Sequence, residues 1–203
     1  MAKLARDVFE VNGLSDRITV VQAQSTEVDL PERADVLVSE IIGNDPLAED
    51  ILAVTNDALR RLLKPSARLI PSALRLFAQP FTAPDDFVRK SVIDPDAIAQ
   101  WRALYGIDFT PLLERCAARR HEARVSAWET RAWTPLGSGV ELADIGFSTP
   151  NAPTLQASRS FSIERDGVLN AVLLYFSAQL APEVTLSTAP FVATPTEIGR
   201  AHV

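Results

Sequence analysis

Through its first third the chain alternates between apolar spacings that suit helices and short apolar runs that suit strands. Ala2 to about Val11 reads as an amphipathic helix, and Asn12-Gly13 follows as a C-cap signal. Arg17-Ile18-Thr19-Val20-Val21 is predicted as a strand and Gln22 to Arg33 as a loop. Ala34-Asp35-Val36-Leu37-Val38 is predicted as a second, buried strand that runs to Ser39. A helix is expected from about Ala48 to Leu63, because Ile51, Leu52, Leu59, Leu62 and Leu63 recur near helical spacing. Lys64-Pro65 should stop it, and Leu69-Ile70-Pro71 reads as the next strand. Strands alternating with helices imply a parallel sheet.

From Ser72 the rhythm changes. Leu74 to Phe81 reads as a strand and Pro84 to about Leu113 as a partly helical excursion. Short strands rich in β-branched and aromatic residues then recur between Gly and Pro. The clearest signal is a hairpin, with Ser160-Phe161-Ser162-Ile163 and Val168 to Leu180 joined at Arg165-Asp166-Gly167. The second part is therefore expected to be antiparallel β structure.

Composition adds bounds rather than identity. The chain has 203 residues, 47% of them hydrophobic and 23% charged, enough for one large domain or two small ones with a sizeable core. No apolar run reaches the ~18 residues of a membrane span, and the N-terminus lacks a signal peptide's apolar block. A cytoplasmic location is the default. A net charge of −6 argues against general nucleic-acid binding and suits a basic partner. The single cysteine, Cys116, excludes an internal disulfide, and it reads as a partly buried residue at a helix end rather than an activated thiol beside Arg115, Arg119 and Arg120.

Candidate chemistry concentrates in Ser39-Glu40-Ile41-Ile42-Gly43-Asn44-Asp45-Pro46-Leu47-Ala48-Glu49. One glutamate closes the strand and another follows nine positions on; Gly43, Asn44 and Pro46 break regular structure between them. A loop of this kind can turn both carboxylates toward one point. Without metal ligands nearby, such a pair suits a planar cation such as a guanidinium. Spacing alone also leaves open a merely solvated acidic pair. Asp45 reads as a loop acid and Asp50 as a first-turn helix acid.

These residues resemble the double-glutamate loop of the protein arginine methyltransferases. Further resemblances follow in order along the chain. Asn12-Gly13-Leu14 with Asp16 to Val20 is similar to the helix-to-strand passage before that loop. Leu62-Leu63-Lys64-Pro65 through Ile70-Pro71 resembles the family's exit into its β-barrel domain. Trp101 to Asp108 resembles the dimerisation arm, while Arg165-Asp166-Gly167 to Phe176 and Leu186 to Pro190 resemble late barrel strands. With Ile41-Ile42-Gly43-Asn44 in place of the usual Trp-Met-Gly-Tyr, this variant is nearer the bacterial and outlying branches than the commonest eukaryotic form.

The resemblance implies an α/β plus β fold. Residues 1–71 would be the C-terminal part of a Rossmann-like methyltransferase domain. Residues 72–196 would form an antiparallel β-barrel-like domain with a helical arm at about 84–120 and with Trp128 and Trp133 filling the barrel. It implies S-adenosylmethionine as cofactor, an arginine-containing protein or peptide as substrate, and a homodimer in the intact parent. Glu40 and Glu49 would be catalytic. Ser25, Thr26 and Ser39 would bind cofactor, with Thr26 standing where an acidic residue often meets the adenine amino group. Two alternatives remain: methylation of a small-molecule or peptide guanidino substrate, and a non-catalytic methyltransferase-like scaffold.

Both ends look cut. A doubly wound sheet that opens on a helix lacks the strand bearing the glycine-rich cofactor turn. Gly137-Ser138-Gly139 reads instead as an ordinary turn, so Met1 is expected to be internal. Glu197-Ile198-Gly199-Arg200-Ala201-His202-Val203 resembles the translation of a common short-read sequencing adapter. Native sequence is expected to end near Thr196, just where the family's threonine-histidine-tryptophan loop should begin. Setting His202 aside leaves His121, and no histidine-based metal site is expected. This chain expressed alone is expected to show no turnover.

Overall fold

A computed structural model describes residues 1–43, 45–117, 121–191 and 200–202. The chain opens with α1 (Ala2–Val11), followed by Gly13 in the left-handed region at φ +64°. Where a strand was expected, Arg17–Val21 forms none. A strand needs a ladder, and β1 (Ala34–Val38) hydrogen-bonds β2 (Leu63–Ile70) and no other described strand. The segment is tied to α1 instead: the Arg6 guanidinium donates to the Val20 carbonyl at 3.1 Å. For the same reason β1 is less buried than its composition suggests, with Val36 43% and Val38 71% exposed.

β1 and β2 run parallel, joined by α2 (Ile51–Arg61). The helix starts three residues later than its apolar spacing predicts, because Pro46 to Glu49 form a turn and Asp50 is left-handed at φ 56°. It also stops before Lys64-Pro65, which lies inside β2. Register explains the tolerance: Ala34 faces Leu63 but Val36 faces Arg68, so the intervening residues bulge and Pro65 owes the ladder no donor.

Among the described residues the second part is an antiparallel sheet of seven strands. Its spine is β3 (Ala73–Thr82), paired along its length with the much later β7 from Ala73–Gln179 to Phe81–Ala171. Between them lie α3 (Asp85–Ser91), α4 (Pro95–Tyr105), α5 (Pro111–Ala117), β4 (Glu122–Arg124), α6 (Ala127–Thr130), β5 (Thr134–Pro135) and β6 (Val140–Gly146). β7 (Ala171–Ala181) is followed by β8 (Val184–Ser187) and β9 (Arg200–His202). β5 and β6 share one edge of β3. Pro80 sits in the gap between them, where a missing N–H costs nothing. Glu197–Gly199 and Val203 of the expected non-native tail lie outside the described residues, as do Asn44, Arg119, Arg120 and Thr196.

The expected hairpin at Asp166-Gly167 does not form. Ser160–Ile163 is not a strand, and the chain there runs beside Leu136 and Gly137, whose neighbourhood receives the Glu164 and Arg165 N–H groups at the Leu136 carbonyl (2.8 and 3.2 Å). β7 is already flanked by β3 on one side and by β8 and β9 on the other, so no edge remains for a local partner. Gly137-Ser138-Gly139 is a bend between β5 and β6, as read. A Cβ on Gly137 would collide with the Ser162 backbone carbonyl, an approach that requires glycine, whereas one on Gly139 would push against the tip of the Tyr175 side chain.

One apolar core joins α2 (Ile51, Leu52, Ala58) and β2 (Leu63, Leu69) to Leu74, Ile145 and Phe176 of the antiparallel sheet. A second gathers Phe81, Val125, Trp133, Ala171 and Leu173. Trp133 is buried as expected. Trp128 is not: it is 70% exposed on the single turn of α6, with the Arg131 guanidinium carbon 4.4 Å from its ring centre. In α4, Asp94 caps the first turn by accepting from the Ala97 N–H at 2.8 Å, and Gly106 at φ 68° ends the last. Trp101 and Tyr105 both meet Phe109 edge-on, while Leu104 and Ile107 stay exposed beside them.

Candidate active site

The Ser39 N–H donates to the Ile70 carbonyl at 2.9 Å, carrying the parallel pairing one residue past β1. Glu40 therefore leaves from the carboxyl end of the strand. Ile41, Ile42 and Leu47 pack on the first core and anchor the loop, which leaves Glu40 and Glu49 facing solvent. Asp45 turns the chain: its carboxylate accepts from the Leu47 N–H at 3.1 Å and its carbonyl from the Ala48 N–H at 3.1 Å. Asp50 is a left-handed residue ahead of the helix, not the first-turn acid expected.

The loop doubles back. Glu49 Oε1 lies 2.9 Å from where a Cβ on Gly43 would stand, so the second carboxylate rests over the glycine. A larger residue there would displace it. Among the described residues neither Glu40 nor Glu49 forms an ion pair or accepts a hydrogen bond, so their acceptor capacity is open to a ligand. Two exposed carboxylates with no internal cation can receive a fork of N–H donors. No group of His, Cys, Asp and Glu among the described residues could hold a metal ion.

Ser25 and Thr26 lie on the 3-10 turn Ser25–Glu27, exposed on the long descent toward β1. Sequence reasoning passed over the residue that holds this turn. The Arg61 guanidinium donates to the carbonyls of Ser25 (3.1 Å) and Val28 (2.9 Å) and to Asp29 Oδ1 (3.2 Å). Asp57, one helical turn back, aligns it through bonds at 2.6 to 3.0 Å. The Asp57–Arg61 spacing of four on a helix was the available signal. Arg33 does similar work at the helix end, donating to the Arg60 and Leu63 carbonyls at 2.8 Å each.

Hydrogen bonds from Arg61 and then Arg60 lower the Asp57 pKa from 3.8 to about 2. A depressed carboxylate pKa stabilises the fold fully above the unfolded value and loses that contribution as pH falls through the folded one. The Ser25–Asp29 segment should therefore hold above pH about 4 and loosen toward pH 2. Fluorescence or exchange measured against pH should show this component in the wild type and lack it in Asp57→Asn.

No protein-family model matches the chain. Protein arginine N-methyltransferase 7 of Drosophila melanogaster is 28% identical over 214 residues, an alignment taking in 96% of this chain. Streptomyces achromogenes subsp. streptozoticus arginine N(omega)-methyltransferase is 28% identical across 94% of it. Over nearly its whole length the chain is similar to proteins named as arginine methyltransferases. It spans 29% of the length of the Drosophila protein and 50% of that of the Streptomyces protein. Its fold is that of the Trypanosoma brucei PRMT1 enzyme–prozyme heterotetrameric complex with AdoHcy, superposing over 98% of this chain and 61% of that one with a TM-score of 0.76 at 21% identity. A Rossmann-like parallel unit followed by a curled antiparallel sheet is thus the architecture the chain shares with that structure.

Proposed function

We propose that the protein transfers a methyl group from S-adenosylmethionine to a guanidinium nitrogen of arginine in a protein or peptide. The observation that carries this reading is the doubled-back loop, which sets the Glu49 carboxylate over Gly43, a few residues beyond Glu40, and leaves both acids without a partner among the described residues. Relatives named as arginine methyltransferases support it over nearly the whole chain.

The cofactor suits the donor set. Ser25, Thr26 and Ser39 offer hydroxyls, and the nearby Arg61 is consumed by Asp57 and two carbonyls. A neutral purine and ribose match that set better than a phosphate would. When bound, S-adenosylmethionine supplies an electrophilic methyl on a sulfonium. Glu40 and Glu49 would hold the guanidinium from two sides, aim one nitrogen along the methyl–sulfur axis, and draw positive charge toward the other nitrogens. Such a cofactor would supply the methyl, with the carbon–sulfur electron pair staying on sulfur as the bond to the guanidinium nitrogen formed. The surplus proton departs from the methylated nitrogen to one of the two carboxylates and then to water.

Exposed Leu104, Tyr105 and Ile107 at the tip of α4 support the homodimer implied by the arm. Net charge of −6 supports a basic substrate and no nucleic acid, and the location we propose is the cytoplasm. No helix among the described residues is long and apolar enough to cross a membrane.

The test is methyl transfer from labelled S-adenosylmethionine by the complete gene product. Label should enter an arginine-rich peptide and fail to enter the same peptide with lysine in place of arginine. Labelling of free arginine alone would move the substrate to the small-molecule class. No labelling of either would leave the scaffold reading.

A further inference from the structure

We propose that Arg61 is a positioning residue for cofactor recognition: held by Asp57, it fixes the carbonyls of Ser25 and Val28 and so sets the pose in which Thr26 meets the adenine ring. The inference rests on the reading that the Ser25–Glu27 turn touches the cofactor.

The turn has little else to shape it. It is three residues long, its residues are exposed, and Gln24 ahead of it provides no side-chain cap. At its start the Glu27 N–H reaches the Gln24 carbonyl at 2.9 Å. A single 3-10 turn in water is marginal by itself. Arg61 grips it at both ends, with Nη2 on the Ser25 carbonyl and Nη1 on the Val28 carbonyl, while Asp29 Oδ1 shares Nη1. The guanidinium carries five donors in a fixed planar fork, against three on an ammonium, and Arg61 uses that fork on Asp57, both carbonyls and Asp29 together.

Asp57 makes the fork directional. It takes Nε and Nη2 of Arg61 and is only 14% exposed, while its remaining contact, with Arg60, comes from a side chain 74% exposed. The guanidinium thus reaches the turn from one bearing only. Because α2 is seated in the first core by Ile51, Leu52 and Ala58, that bearing is referred to the rigid part of the molecule. The helix behind the Glu40–Glu49 loop and the turn predicted to meet adenine are therefore one assembly. An error in the seating of α2 would misplace both.

The test compares wild type with Arg61→Met, Arg61→Lys and Asp57→Asn in the complete gene product. Amide exchange across residues 25–29, affinity for S-adenosylhomocysteine, and affinity for its analogue lacking the adenine exocyclic amino group are measured together. Loss of Arg61 should speed exchange in that segment and weaken S-adenosylhomocysteine by about tenfold, the size of one lost charge-assisted bond. The wild type should prefer the adenine compound, and Arg61→Met should bind the two nearly alike, a loss that general destabilisation would not produce. Arg61→Lys should not restore the preference. If Arg61→Met fails to fold, Asp57→Asn, which leaves the guanidinium in place but unaligned, should show the same direction. Wild-type binding with unchanged affinity and preference in the variants would overturn the role of Arg61 and leave the methyltransferase reading standing. Absence of S-adenosylhomocysteine binding in the wild type would overturn that reading and this inference with it.

Discussion

Replacing Glu49 by Gln in the complete gene product should lower methyl transfer to an arginine peptide by about 10²–10³-fold, with the melting temperature unchanged. The separation of activity from stability follows from where the side chain sits. Glu49 is exposed and has no ion-pair partner among the described residues, so the isosteric amide costs the fold nothing that the structure shows. A guanidinium held by two carboxylates, by contrast, loses both an acceptor and the charge that matches its own. Glu40→Gln should behave alike. S-adenosylhomocysteine affinity should stay near wild type in both variants, because neither acid lies on the Ser25–Glu27 turn. Rates at the wild-type level in either variant would end the clamp mechanism.

A large effect on stability is expected in the second core. Phe81→Ala should cost about 3–5 kcal/mol in urea denaturation, the range for truncating a buried phenylalanine. Phe81 is fully buried, meets Trp133 edge-on at 6.0 Å and lies 6.4 Å from the Phe191 ring. Its strand neighbours Ala171 and Pro135 are small or rigid, so the space cannot close by repacking. Trp128→Ala gives the contrast. Its ring stacks on one exposed Arg131, a contact worth only about 0.5–1 kcal/mol at such a site. A loss below 1.5 kcal/mol at Phe81 would contradict the burial described for the second core.

These two tryptophans show what sequence could and could not convey. Both were expected to fill the barrel, yet Trp128 lies on a four-residue helix whose capping box fixes Ser126 and Glu129 and leaves the ring outside. Local signals fared similarly elsewhere. Asp166-Gly167 between apolar runs is a sound hairpin signal, but β7 is longer than its local partner and finds β3, almost a hundred residues earlier, instead. Arg17–Val21 has a strand's composition; a strand also needs a neighbour, and composition does not supply one. The parallel β1–α2–β2 unit and the antiparallel second part were legible because their apolar runs carry period and length together. The glutamate loop was legible as a constellation of residue types. Its fold-back was not, since that depends on the Asp45 turn and on Gly43 giving way to Glu49. Arg61 was missed because its acceptors are main-chain carbonyls, which leave no trace in residue identity.

The junction between the two parts has a consequence for how the molecule moves. Ser72, where the antiparallel sheet begins, gives both its N–H and its hydroxyl to the Gln179 carbonyl (2.7 and 3.2 Å) and takes the Phe147 N–H at 2.9 Å. Together with the core that α2 shares with β3, β6 and β7, these bonds weld the connection rather than articulate it. A swinging jaw is therefore ruled out at this seam. Heat should melt both parts in one step, and a protease nick at the junction would release no free fragment.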